Sequence, residues 1–277
     1  MRIAFQGESG AYSEAAVYEH YQDVEVEAVP CETFEHVFNA VSKGDCEHGF
    51  IPIENTLAGS IHQNYDLLLK HDLWVTGEHF LRVSHCLIAR PGTHLADIRR
   101  VISHPQALAQ CEGYLRSLKG VKVEPVYDTA GSVKMMGEGG DTTLAAIASR
   151  RAAEIYGMEI LAENIEDNPL NFTRFLIISQ SAVEPHGDAK TSIVFSLRNQ
   201  PGSLFRAMSA FALRDIDLTK LESRPLIGKP WEYLFYIDLA GAAQDAVVKR
   251  ALAHLDEYAL MLRVLGSYPR RRMEAST

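Results

Sequence analysis

From its first residues to about residue 180 the chain alternates short apolar runs with helical patterns. Strand and helix in turn restrict it to an open α/β sheet with helices on its faces. Runs of strand length fall at residues 3–6, 25–29, 48–53, 73–90, 100–103, 121–126, 143–148, 159–165 and 172–178. Helix starts are readable between many of them, with Ser13, Thr33 and Ser60 ahead of helical patterns and Pro105 opening QALAQCEGYLRSL. Residues 180–189, QSAVEPHGDA, carry Pro185 and Gly187 and read as a linker. The order then changes: strand 192–197, helix 202–213, strands 217–226 and 231–239 joined around Gly228, helix 243–258 and strand 260–268. That βαββαβ order is a second, ferredoxin-like domain, and the tail after Pro269 is expected to fray.

Composition narrows the function classes. With 27 basic and 36 acidic side chains among 277 residues, the net charge of -9 gives no positive field to hold nucleic acid. The opening MRIAFQGES reaches polar residues too early for a secretory signal or a membrane anchor, so the expectation is a cytoplasmic chain with no membrane partner. Cys31, Cys46, Cys86 and Cys111 fit no CxxC spacing and lie in apolar contexts, as buried free thiols do.

Three strand ends are unusually polar: Gly7 to Ser13 after the first run, Glu54 to Ser60 after the third, and Ser103 to Gln106 after the fifth. In doubly wound sheets ligands bind outside the carboxyl ends of the strands, and uncharged donors there suit carboxylates. Turn chemistry alone accounts for any one of these stretches; three together favour a site. Other constellations fail. Gly7 and Gly10 lack the GxGxxG spacing, and no phosphate loop, GxSxG elbow or HExxH is present. His79 and His85 share a face on an expected strand without a third ligand, so chemistry without metal or cofactor is expected.

The run NFTRFLII at residues 171–178 places a hydroxyl and a fixed positive charge at the start of a core strand. Together with PIENTLAGSI at 52–61, SHPQALAQC at 103–111 and LESRPL at 221–226, it resembles prephenate dehydratase, over residues 3–269. The resemblance implies a bilobal, periplasmic-binding-protein-like catalytic domain at 1–180, with lobes of roughly 1–78 plus 160–180 and of 79–159. A linker at 181–189, a ferredoxin-like (βαββαβ) ACT regulatory domain at 190–269 and a tail at 270–277 follow. With no chorismate mutase segment ahead of Ile3, the likeness is to the monofunctional form.

The activity so implied converts prephenate to phenylpyruvate, water and carbon dioxide in phenylalanine biosynthesis. Its product is aromatic, so the enzyme has only to orient the substrate and assist departure of hydroxide. By the same likeness Thr173, Asn55, Ser103 and Gln110 are catalytic, with Thr173 facing the leaving oxygen, and Glu54, Thr56, His104, Arg174 and Phe175 bind substrate. Adjacent strand residues face opposite ways, so Thr173 and Arg174 are not expected to share one contact. Phenylalanine is the implied effector, enclosed across the interface of a homodimer or tetramer by Gly202, Ser203 and Leu204 with Leu221, Glu222, Ser223, Arg224 and Pro225. One departure is that the family's GALV-like segment reads Gly202-Ser203-Leu204-Phe205 here. Two rivals stay open: arogenate dehydratase, whose substrate has an amino group in place of the keto oxygen, and a non-catalytic amino-acid-sensing binding protein.

Overall fold

The structure, a computed structural model, describes residues 1–226, 228–229 and 231–272. Residues 273–277 of the expected tail, and 227 and 230 of the connection expected around Gly228, lie outside the described residues. The chain divides into two compact units, one made of Met1–Ile61 with His79–Phe175, the other of His62–Glu78 with the chain from Leu176 onward.

The first sheet begins with β1 (Arg2–Gln6), then α1 (Tyr12–His20), β2 (Glu27–Cys31), α2 (Phe34–Lys43), β3 (His48–Asn55) and the short β4 (Gly59–Ser60). Its helices follow from local chemistry. Thr33 Oγ1 accepts the His36 N–H at 3.2 Å to start α2, Gly44 ends it at φ 79°, and Val37, Phe38 and Val41 form its buried stripe. After α3 (His62–Lys70) come β5 (Trp74–Arg82) and, from the far end of the catalytic sequence, β11 (Phe172–Ser179), giving the order β2-β1-β3-β11-β5.

The single long strand expected over 73–90 is two strands in two sheets. The Val83 N–H still bonds Asn171 O, the residue ahead of β11, while the His85 N–H is taken by the Glu166 carboxylate at 2.8 Å. A ladder cannot continue through a donor that a side chain has claimed, so the chain leaves the first sheet at residues 83–85. It enters the second as β6 (Cys86–Ala89), followed by β7 (Arg100–Ser103), α4 (Pro105–Gln110), α5 (Glu112–Ser117), β8 (Lys122–Pro125), α6 (Thr129–Glu138), β9 (Leu144–Ala148), α7 (Arg150–Tyr156) and β10 (Glu159–Glu163). The order is β10-β6-β9-β7-β8, over a core that includes Leu87, Val101, Leu108, Leu115 and Ile147.

The helix expected from Pro105 onward is likewise interrupted, at Cys111. Asp167 accounts for the break: its N–H bonds Gln110 O at 2.8 Å and its carboxylate takes the Gly113 N–H. Gln110 is thereby held at a helix end.

In the second unit, β12 (Ala189–Leu197), α8 (Ser203–Ala212), β13 (Leu218–Pro225), β14 (Tyr233–Ala240), α9 (Ala246–Asp256) and β15 (Ala259–Pro269) form an antiparallel sheet of order β13-β14-β12-β15. This is the ferredoxin-like βαββαβ order. Ile193, Phe195, Phe211, Ile237 and Leu255 belong to the core formed with α8 and α9. By compactness α3 also belongs to this unit. The Tyr65 and Tyr236 rings lie 4.8 Å apart, the Tyr236 hydroxyl donates to Tyr65 O, and Arg224 pairs with Asp66 at 2.8 Å. Among the described residues all four cysteines are free, and no helix is long and apolar enough to cross a membrane.

Candidate active site

Asn55 closes β3, and the turn after it fixes how its amide points. Its Oδ1 accepts two backbone N–H groups, from Leu57 at 3.0 Å and Ala58 at 2.9 Å, so the amide nitrogen must face β11. There Nδ2 donates to Asn171 Oδ1 at 2.8 Å, to Thr173 Oγ1 at 3.0 Å and to Phe172 O at 3.2 Å. Thr173 therefore has a lone pair occupied, and no acceptor for its own proton exists among the described residues.

The same polarity runs on through the next groups. Because Asn171 Oδ1 accepts from Asn55, its Nδ2 faces Gln110 and donates to Oε1 at 3.2 Å. That oxygen also lies 2.8 Å from His85 Nε2, which must carry a proton to meet an acceptor. The Tyr12 hydroxyl, on the first residue of α1, is 2.6 Å from His85 Nδ1 and 2.9 Å from Ser84 O. Burial lowers the His85 pKa, against smaller opposing effects of the Gln110 hydrogen bond and the Glu166 charge, and burial raises Tyr12 well above its ordinary value. Burial disfavours charge on either ring, and the one Tyr12 proton can serve Ser84 O or, with a neutral Nε2–H imidazole, His85 Nδ1.

These side chains meet at a cavity of about 220 Å³ lined by Tyr12, Ser13, Asn55, His85, His104, Gln110, Thr173 and Phe175, among others. A cavity of about 150 Å³ accommodates benzene, so this one takes a single ring with substituents. No Lys, Arg, Asp or Glu is among its described lining residues. Uncharged donors replace them. Gln110 offers its Nε2 hydrogens and Thr173 its hydroxyl; at the start of α1 the cap residue Ala11 has no side chain to satisfy the free backbone N–H groups. His104 is part of the wall while its Nδ1 caps α4 by accepting from the Gln106 N–H at 3.2 Å.

A family model described as prephenate dehydratase matches residues 3–183, and one described as ACT domain matches 191–257. The chain belongs to the prephenate dehydratase family. It is 49% identical over 280 residues to the Arabidopsis thaliana protein named "Arogenate dehydratase/prephenate dehydratase 2, chloroplastic", covering 97% of this chain and 73% of that one. Among solved structures, the prephenate dehydratase of Arthrobacter aurescens in complex with L-Phe has a TM-score of 0.89 at 33% identity, over 98% of this chain and 90% of that one. A chain described as GqqA, a quorum-quenching acylase, has a TM-score of 0.91 at 38% identity, over 98% of both chains. The fold is the α/β catalytic part and C-terminal ACT domain of a dehydratase family, whose members are hydro-lyases.

Of the residues singled out from the family motifs, the structure brings Asn55, His104, Gln110, Thr173 and Phe175 to the cavity. It does not bring Ser103, Glu54, Thr56 or Arg174 to its wall. Ser103 is fully buried with its hydroxyl donating to Ile147 O at 2.6 Å, a bond between two core strands. Thr56 accepts from the Phe172 N–H and donates to Leu170 O, tying the turn after β3 to β11. Arg174 points away from Thr173 and Phe175, as strand alternation requires; it is buried, with Nη1 3.5 Å from Glu54 Oε1. Tyr12, His85 and Asn171 were not singled out as site residues. Tyr12 lies in a polar strand end and Asn171 opens NFTRF, but His85 reads in the sequence only as a strand companion of His79; it lies beyond the end of β5 because the strand break is set by Glu166, far along the chain.

In the ACT domain Gly202 caps α8 at φ 76°, and Ser203 and Leu204 line a hollow of about 120 Å³ with Trp231 and Tyr233. Leu221, Ser223 and Pro225 are exposed on β13, and none of residues 221–225 lines that hollow. Glu222 and Arg224 face α3 instead, at 3.2 Å from His62 Nε2 and 2.8 Å from Asp66 Oδ2.

Proposed function

We propose that this chain dehydrates and decarboxylates prephenate to phenylpyruvate, with Thr173 at the departing oxygen. The observation that carries the reading is the Thr173 hydroxyl: it accepts from Asn55, lines the cavity, and has no acceptor for its proton among the described residues. As the ring carboxylate leaves as carbon dioxide, its bonding pair enters the ring, and the C–O bond opposite breaks with its pair on oxygen. That oxygen then needs a hydrogen-bond donor and, to become water, a proton. Donation from Asn55 Nδ2 polarises the Thr173 O–H towards the developing hydroxide, and a threonine hydroxyl does not titrate in the usual range, so the proton itself comes from solvent. A wall without Lys or Arg is suited to this step, because a cation gripping the departing carboxylate would stabilise the ground state.

Among its described residues the wall offers no nucleophile with a free base, as an acyl-transfer site requires: the His85 ring nitrogens face Gln110 and Tyr12, and His104 Nδ1 caps α4. Measured by the ultraviolet absorbance of phenylpyruvate, Thr173→Val should lower kcat by about 10² to 10⁴ with folding intact. Near-normal turnover would remove Thr173 from the chemistry.

Phenylalanine is the proposed inhibitor at the ACT domain, supported by the A. aurescens relative solved with L-Phe. Gly202, Ser203 and Leu204 would meet residues 221–225 of a second copy, since one chain does not place them around one hollow. The exposed Phe205, Leu213, Leu221 and Trp231 support that dimer or tetramer. A cytoplasmic location is supported by the four free thiols, which a reducing compartment preserves; imaging a tagged chain tests it.

A further inference from the structure

Strand β13 has two faces with different neighbours. Leu221, Ser223 and Pro225 lie on the exposed one, and Lys220, Glu222 and Arg224 alternate with them on the half-buried one. The half-buried face is bound to α3. Glu222 Oε1 is 3.2 Å from His62 Nε2, Arg224 Nη2 donates to Asp66 Oδ2 at 2.8 Å, and on the neighbouring strand the Tyr236 hydroxyl donates to Tyr65 O at 2.9 Å. At the far end of the helix the Arg263 guanidinium of β15 donates to His71 O at 3.0 Å and to Leu69 O and Leu73 O at 3.3 Å. The first turns of α3 thus follow β13 and β14, and its last turn follows β15.

Along the chain, one residue stands between that helix and the turn that carries Asn55. Ile61 alone separates β4 from α3. Its N–H bonds Ile53 O at 2.9 Å, it lines the cavity, and β4 pairs back on β3 with Gly59 opposite Asn55. A displacement of the start of α3 is therefore passed through a single peptide link to the turn that orients the Asn55 amide.

We propose that Glu222 and Arg224 are coupling residues: they carry inhibition from the ACT domain through α3 to the Asn55 turn, and their side chains do not hold the effector. The inference rests on the reading of phenylalanine as the inhibitor at this domain. An inhibitor works only by binding one arrangement better than another, so β13 must differ between the two. A ligand seated against residues 221, 223 and 225 shifts both faces of the strand, because they share one backbone. The Arg224–Asp66 pair then draws the start of α3 along, while Arg263 keeps the far end in place. Asn55 loses its aim at Thr173 Oγ1, which it otherwise meets at 3.0 Å.

Two substitutions cut the joint from opposite sides: Asp66→Asn from the helix, away from the exposed face of β13, and Arg224→Met from the strand. On the full chain, phenylalanine binding is measured by calorimetry, and inhibition as the ratio of kcat/KM for prephenate without and with saturating phenylalanine. Each variant's own uninhibited rate is the reference, so damage to the chemistry cancels. The unmodified chain should be inhibited by a factor of about 5 to 150. Each variant should still bind phenylalanine, with Kd within about threefold, while its inhibition ratio falls by about fivefold; the double variant should lose no more than either single one. Inhibition undiminished in Asp66→Asn, or binding lost there in step with inhibition, overturns the assignment and leaves phenylalanine as the inhibitor. No heat of phenylalanine binding in the unmodified chain overturns the phenylalanine reading and the inference with it. If Arg224→Met fails to fold, Asp66→Asn decides alone.

Discussion

Replacing Asn55 by Asp tests whether the Thr173 proton is aimed by its neighbour. The substitution keeps size and leaves Oδ1 to its two backbone donors, but puts oxygen where the amide nitrogen serves Asn171 Oδ1, Phe172 O and Thr173 Oγ1. Of those three, only Thr173 can respond, by turning its O–H onto the new carboxylate and away from the cavity. Turnover should fall as it does on losing one preorganised donor, by about 10² to 10³ in kcat, or roughly 2.7–4 kcal/mol of barrier. Phe172 O keeps the Thr56 N–H at 2.9 Å, while Asn171 Oδ1 is left facing an oxygen inside a largely buried site, so unfolding free energy should drop by about 1–3 kcal/mol. Steady-state assays and urea unfolding would be run on Asn55→Asp, Thr173→Val and the pair. Since the first change acts through the second residue, the double variant should be little slower than either single one. Multiplicative losses, or a near-normal kcat in Asn55→Asp, would refute the aiming argument.

Acidification should destabilise the chain through His85 and His48, both of which burial holds below the ordinary histidine pKa. The unfolded state then binds protons that the folded state refuses, so stability falls as pH drops below about 6.5 and continues to fall until the folded-state pKa is reached. His85→Gln, which keeps a donor towards Gln110, should flatten part of that slope in thermal melts at pH 7 and pH 5; an unchanged slope would clear His85. For the regulatory part, titration calorimetry should show phenylalanine binding that Gly202→Val weakens, because a β-branched residue at φ 76° is strained by roughly 1–2 kcal/mol at the start of α8. Undiminished binding there would place the effector elsewhere.

Much of the architecture was legible because it depends on periodicity. Alternating runs with caps such as Thr33 and Pro105 marked the α/β part, and the later element order marked the ferredoxin-like sheet. The misplaced boundaries have a common physical origin in distant side chains. Glu166 takes the His85 N–H and splits one run into β5 and β6; Asp167 takes the Gly113 N–H and breaks the helix after Gln110. Neither contact has a local signature, and both shape the cavity. Motif likeness selected Thr173, Asn55 and Gln110, which the cavity wall contains, but also Ser103 and Arg174, which the fold uses inside the protein. A motif records which residues recur together without distinguishing those that face a ligand from those that hold the strands.

The lack of fixed charge on the cavity wall bears on how molecules arrive and depart. A chain of net charge -9 repels a doubly negative ligand at long range, and the described lining has no lysine or arginine to draw it in. Encounter therefore proceeds against the field, and added salt, by screening that repulsion, should quicken capture rather than slow it. The same neutrality spares the singly charged product a tight ionic grip, so the site can empty soon after the ring becomes aromatic.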